Sequence, residues 1–283
     1  MSFQKVADEQ LYVSQPPPWQ FGNEGNDTKE TWTCSNWLKS RFHFAFAEYR
    51  SFRNRRFGCL RVMNDDLVQP DRGFATHGHA ETEICTYVVQ GALTHEDSLG
   101  TKQTLGRGSV QYMTAGTGVR HSEHNRDTEK PARFIQMWIV PSERRLQPQY
   151  GGMSGDNEES AEKRKNQWFH LVSDVKSSYE TPVKINQDAN ISVTEIGPSF
   201  SINLDVKDGR QAYFLCIEGH VEVNGEGVSD WLDPHDAAEI VGPISLTFQA
   251  EEEGAHLLVV ENEGRGEDSR FRERGEDSAS DSD

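Results

Sequence analysis

The chain reads as all-β, two β-barrel or jelly-roll units in series. From about residue 35 to 142, short runs rich in β-branched and aromatic residues alternate with Gly and Asp turns at barrel or sandwich spacing. After a polar stretch with little hydrophobicity, a second series of strand-like runs covers 183–185, 191–196, 199–204, 212–217, 221–223, 237–240, 244–249 and 256–260. The first series also holds paired histidines at strand spacing, which the second lacks.

Taken in order, residues 1–34 form an N-terminal extension. It contains Pro16-Pro17-Pro18 and the polar stretch 22–27, has no apolar periodicity, and is expected to lie loosely over the surface. Residues 35–150 form the first barrel. Residues 151–167, with Gly151-Gly152 and several Glu and Lys, read as a linker. Residues 168–262 form the second barrel, with hairpin character at Val221-Glu222-Val223-Asn224-Gly225, where Asn-Gly supplies a turn at positive φ. Residues 263–283 are an acidic tail, expected to be disordered: one aromatic, Phe271, cannot bury enough surface to offset chain entropy. The tail repeats Arg265-Gly266-Glu267-Asp268-Ser269 as Arg274-Gly275-Glu276-Asp277-Ser278.

Composition narrows the function classes. The 283 residues carry a net charge of −17, which disfavours direct nucleic-acid binding, since that affinity comes largely from Lys and Arg neutralising phosphates. No apolar run approaches the roughly 18 residues that a spanning helix needs, so no membrane partner is expected. Cys34, Cys59, Cys85 and Cys216 stand apart without CxxC spacing and read as reduced thiols of a cytoplasmic or nuclear protein.

The chemistry lies in two pairs. His77 and His79 are separated by one residue, as are His121 and Glu123. Alternate residues of a strand share a face, so each pair points one way. Two such strands facing each other present three imidazoles and a carboxylate, a donor set suited to a divalent first-row transition metal rather than Mg²⁺ or Ca²⁺. On parity alone the carboxylate is either Glu123 or Glu83. The histidines of the second series, His170, His220, His235 and His256, stand singly and read as structural or exposed.

The surroundings carry a resemblance. Gly73-Phe74-Ala75-Thr76-His77-Gly78-His79-Ala80-Glu81-Thr82-Glu83 and Ala115-Gly116-Thr117-Gly118-Val119-Arg120-His121-Ser122-Glu123-His124-Asn125 resemble the two cupin motifs, with Gly116 in place of a Pro. Phe44-Ala45-Phe46-Ala47-Glu48-Tyr49, Leu60-Arg61-Val62-Met63-Asn64-Asp65-Asp66, Thr94-His95-Glu96-Asp97-Ser98-Leu99-Gly100 and Gln136-Met137-Trp138-Ile139-Val140-Pro141 make the chain similar to the pirin family and its bacterial relatives with quercetinase activity. The similarity is dense from about residue 37 to 141 and thinner to about 260. It implies a bicupin with one metal, Fe(II) first among the first-row divalent ions, held by His77, His79, His121 and Glu123, and a second cupin without a metal set. Glu83 then becomes a partner that orients an imidazole. It further implies ring-opening of a flavonol-like aromatic substrate with O₂, Glu123 serving as base. The alternatives are an iron-dependent redox-sensing co-regulator that acts on a protein partner, and a structural bicupin. The family pattern departs at Gly78, expected to loosen the backbone between the paired histidines, and at His124, which reads as an exposed loop histidine.

Overall fold

The computed structural model describes residues 1–23 and 37–264. Cys34 and the acidic tail from residue 265 lie outside the described residues. The chain folds as two all-β units packed together. The first has a seven-stranded sheet, in which Glu83–Gln90 and Ala132–Ile139 are neighbours, and a four-stranded sheet that runs Arg72–His79, Val119–Asn125, Ala92–Asp97, Lys102–Gly106. The second unit is one nine-stranded sheet, wound about the long strands Arg210–Gly225 and Ile244–Glu263.

Alternation within single strands explains how the core is divided. On Glu83–Gln90, Ile84 and Val88 face the interior of the first unit, where they pack with Met113 and with Leu93 and Phe134 respectively. The intervening Cys85, Tyr87 and Val89 join a cluster shared with Leu171, Val172, Tyr213 and Leu258 of the second unit. One strand therefore serves both the first barrel and the seam, which fuses the units into a continuous core. Cys59, Cys85 and Cys216 are buried and form no disulfide among the described residues, and burial, then the Glu83 charge, raises the pKa of Cys85 far above the usual thiol range.

Polar contacts close the seam at its edges. Asp65 receives two hydrogen bonds from Arg133, at 2.8 and 2.7 Å, and lies 2.6 Å from Nδ1 of His235 in the second unit. Tyr87 Oη meets His256 Nε2 at 2.9 Å, and His43 Nδ1 meets Tyr213 Oη at 3.0 Å.

Three expectations need correction. The N-terminal extension does not lie loosely: Ser2–Val6 pairs antiparallel with Ala237–Val241 of the second unit, and Tyr12–Ser14 pairs with Leu38–Phe42 of the first. Backbone hydrogen bonds to exposed sheet edges need no apolar periodicity, which is why the pattern was silent. The segment read as a linker is also ordered, with Gln149–Met153 adding a strand beside Val110–Thr114. A short helix, Glu158–Arg164, follows, capped by Asn157 accepting from the Ser160 N–H at 2.9 Å. The hairpin turn sits two residues late: Asn224 pairs with Ser229, and Glu226-Gly227, at φ 51° and 83°, make the bend. No helix among the described residues is long and apolar enough to cross a membrane.

Candidate metal centre

The two sequence pairs meet on neighbouring strands of the four-stranded sheet. His121 stands opposite His77 across the Arg72–His79 and Val119–Asn125 strands, while Glu123 stands opposite Phe74. Two residue steps on one strand match three on the other, so Arg72–His79 bulges between Phe74 and His77. A bulge of this kind re-aims a side chain; here His77 Nδ1 turns to the Ala75 carbonyl at 2.8 Å, which leaves Nε2 pointing into the site. Gly78 adds no distortion: it pairs in register with Arg120, and a side chain there would find its nearest neighbour at 3.9 Å. Gly116 is needed, since its φ is +47° and a Cβ would lie 2.1 Å from the Leu146 carbonyl.

His77, His79 and His121 form one group whose ligand atoms lie within 4.8 Å of one another; His95, His121 and Glu123 form a second. His77 Nε2 and His121 Nε2 are 3.2 Å apart. Burial, then the neighbouring imidazoles, pushes the pKa of both His79 and His121 down to about 3. They are therefore neutral at ordinary pH, the form that ligates metals. The two groups share His121, and together they offer imidazole nitrogens and one buried carboxylate, Glu123, a donor set that suits a divalent first-row ion.

Glu123 is fixed on both sides. Its Oε1 accepts from Gln111 Nε2 at 2.7 Å and its Oε2 from Gln136 Nε2 at 2.8 Å. The glutamines are oriented in turn, since Thr86 donates to Gln136 Oε1 at 2.7 Å and Tyr150 Oη to Gln111 Oε1 at 3.3 Å. Edge-on aromatic contacts line the imidazoles: Trp138 lies 4.8 Å from His79, and Phe21 lies 5.9 Å from His77.

Glu83 is elsewhere. Fully buried, it accepts from Thr114 Oγ1 at 2.8 Å and from the backbone and side-chain nitrogens of Asn186, in the second unit, at 3.0 and 2.7 Å. Its expected role in orienting an imidazole fails because the chain turns at residues 80–82, with Glu81 at φ 55°, and face parity does not carry through a turn. Glu83 shares instead the seam-facing parity of Cys85 and Tyr87. His124 is a half-buried strand residue rather than a loop histidine; it alternates with His121 and Glu123 and packs so close to Gly73 that a Cβ there would meet its Nδ1 at 2.6 Å.

Five further residues at the site, His95, Asp97, Gln111, Gln136 and Tyr150, are not among the candidates that residue spacing gives. His95 and Asp97 carry the same alternate spacing as the two pairs and lie opposite Glu123 and His121, so that signal was present. Tyr150, at the last position of the range expected for the first barrel, stacks on His95 at 4.4 Å and stands in no local pattern of its own.

Comparison with known proteins bears on the family and the fold. The family described as Pirin matches residues 25–139, and that described as Quercetinase C-terminal cupin domain matches residues 171–261. A pirin-like protein of Caulobacter vibrioides is 34% identical over 79% of this chain and 92% of its own length. A quercetin 2,3-dioxygenase of Escherichia coli K12 is 31% identical over 69% of this chain and 83% of its own. The crystal structure of YhhW from Escherichia coli aligns with a TM-score of 0.75 at 25% identity, covering 93% of this chain and 99% of that one. A structure of bacterial pirin YhhW in complex with nickel(II) aligns with a TM-score of 0.74 at 24% identity, over 93% of this chain and 100% of that one.

Proposed function

This chain belongs to the pirin family, and from that premise we propose that it is a metal-dependent dioxygenase of the quercetin 2,3-dioxygenase type. His77, His79, His121 and Glu123 would hold one divalent transition metal, Fe(II) first, with other first-row ions as substitutes. The observation that carries the reading is the convergence of three imidazoles, with ligand atoms within 4.8 Å, beside a buried carboxylate that glutamine amides lock in place.

A bound metal supplies Lewis acidity toward a phenolic oxygen and redox chemistry with O₂. The chain's own groups do the rest. Each oxygen of Glu123 keeps a lone pair beyond its glutamine contact, so Glu123 takes the proton of a flavonol 3-hydroxyl without leaving its position. Phe21 and Trp138 place apolar aromatic surface against the imidazoles, suited to an aromatic substrate and to the exclusion of water. The flavonolate reacts with O₂, both oxygen atoms stay in the ring-opened product, and one ring carbon leaves with its own oxygen as carbon monoxide.

The test is anaerobic loading of the full-length chain with Fe(II), followed by quercetin and O₂. Equal molar loss of quercetin and O₂ with release of carbon monoxide is expected. Consumption no faster than with free Fe(II) in buffer overturns the reading.

A further inference from the structure

A second histidine–carboxylate pair stands behind the imidazole cluster. His95 and Asp97 lie on the Ala92–Asp97 strand, opposite Glu123 and His121. Both side chains are shielded from solvent, with relative accessibilities of 1% and 0%. Asp97 Oδ1 is already engaged at the hairpin that follows, where it accepts the backbone N–H groups of Leu99 at 2.9 Å and Thr101 at 3.0 Å. Oδ2 faces His95 Nε2 at 2.9 Å. A carboxylate accepts and does not donate, so His95 Nε2 carries a hydrogen. In a neutral imidazole the other nitrogen, Nδ1, is then an acceptor. It lies 3.4 Å from His121 Nδ1, which must supply the hydrogen. His121 is left with its lone pair on Nε2.

The opposite side of the site reaches the same state by another route. The Ala75 carbonyl can only accept, so His77 Nδ1 carries the hydrogen and His77 Nε2 keeps its lone pair. Two lone-pair nitrogens thus face each other at 3.2 Å. That contact is repulsive between two acceptors and becomes favourable beside a shared cation.

We propose that Asp97 and His95 are positioning residues that set the tautomer of His121 and so present its Nε2, unprotonated, to the metal. The inference rests on the metal reading of the site. Tyr150, stacked on His95 with an interplanar angle of 24°, fixes the ring plane of the intermediate imidazole. Partners of this kind commonly set metal affinity within a factor of about 10 to 100.

The pinned oxygen gives a test whose sign separates this role from a structural one. In Asp97→Asn the amide oxygen stays with the Leu99 and Thr101 N–H groups, which turns the amide nitrogen toward His95. That nitrogen donates, so His95 must accept at Nε2 and donate from Nδ1. His121 then accepts at Nδ1 and carries its hydrogen on Nε2, where a ligand needs a lone pair. Asp97→Ala removes the constraint without reversing it. Titration of the full-length chain with Ni²⁺ is expected to show a loss of affinity of about 10- to 100-fold in Asp97→Asn and a smaller loss in Asp97→Ala. A merely structural role gives the opposite order, because Asn keeps the turn contacts that Ala loses.

Imidazole ¹⁵N spectra of the metal-free chain read the tautomers directly. They should place hydrogen on His95 Nε2 and His121 Nδ1 in the unaltered protein, and exchange both positions in Asp97→Asn. Hydrogen on His121 Nε2 or a doubly protonated His95 in the unaltered protein overturns the relay, as does Asp97→Ala binding Ni²⁺ no better than Asp97→Asn. A second ion per chain bound to His95 overturns it too, by making His95 a ligand. An unaltered chain that binds neither Ni²⁺ nor Fe²⁺ overturns the metal reading itself; the ¹⁵N spectra, which need no metal, tell that failure from failure of the relay.

Discussion

The two halves solve the same packing problem with opposite interiors. The first barrel encloses Thr86, Gln111, Glu123 and Gln136 in a buried, mutually hydrogen-bonded array, with His121 buried beside it. The second fills the equivalent volume with Phe214, Val221, Leu246 and Phe248, two of whose rings stack at 4.1 Å with an interplanar angle of 9°. His220, His235 and His256 stand outside that apolar filling. His235 and His256 sit at the seam against Asp65 and Tyr87 of the first half, and His220 is held by Asp233 at 2.8 Å. A buried polar array costs stability and is kept where it organises a site, while a barrel without one is free to take the more stable apolar filling.

Counting metals separates the two halves most sharply. One transition metal per chain is expected by elemental analysis of protein purified anaerobically, and His121→Ala should lose nearly all of it and melt at a lower temperature. Two metals per chain, or unchanged occupancy in this variant, would sink the assignment. In the other half, Phe214→Ala should cost about 3–5 kcal/mol of stability by denaturant unfolding, while folded protein keeps its full metal content. Loss of metal in that folded variant would show that the halves are not separable in this way.

Glu123→Gln tests what the polar array is for. It preserves shape and removes the base, so flavonol turnover should fall on the order of 10²-fold, with weaker metal binding. Turnover within a few-fold of the unaltered protein would remove Glu123 from the mechanism. Glu83→Gln reads the seam instead. It weakens contacts to Thr114 and Asn186, so a loss of about 1–3 kcal/mol is expected, with metal content kept. A larger effect on metal than that of Glu123→Gln would restore Glu83 to the site.

Acid should loosen the seam gradually. Burial is the main cause that lowers the pKa of His43 from the ordinary 6.5 to about 4. Below pH 6.5 the unfolded chain therefore binds a proton that the folded chain refuses. The stability due to neutral His43 is complete above pH 6.5 and is lost as pH falls toward 4, at no more than about 1.4 kcal/mol per pH unit. His43→Leu should flatten the stability profile between pH 6.5 and 4; an unchanged slope would remove His43 as its cause.

The legibility of the fold follows the range of each signal. Alternation is local, so the strands of both halves and the same-face pairs His77/His79 and His121/Glu123 could be read directly. Ser2–Val6 could not, because its place depends on an edge more than 200 residues away that accepts backbone pairing from almost any sequence. The error at Glu83 has a related origin: parity holds within a strand, and the turn at residues 80–82 re-sets which face the next strand presents.

The all-β character, the donor chemistry and the confinement of paired histidines to one half are legible in the amino-acid order alone. All of these are properties of residue type and spacing within single strands. The position of Glu123 beside His121, the place of His95 and Asp97 behind it, and the contacts from Tyr150, Gln111 and Gln136 come from the tertiary structure. Each of those depends on register between strands distant in the chain, on a bulge that shifts one strand against its neighbour, and on a turn that exchanges faces. Such choices are fixed by the packing of the whole barrel, and local spacing does not encode them.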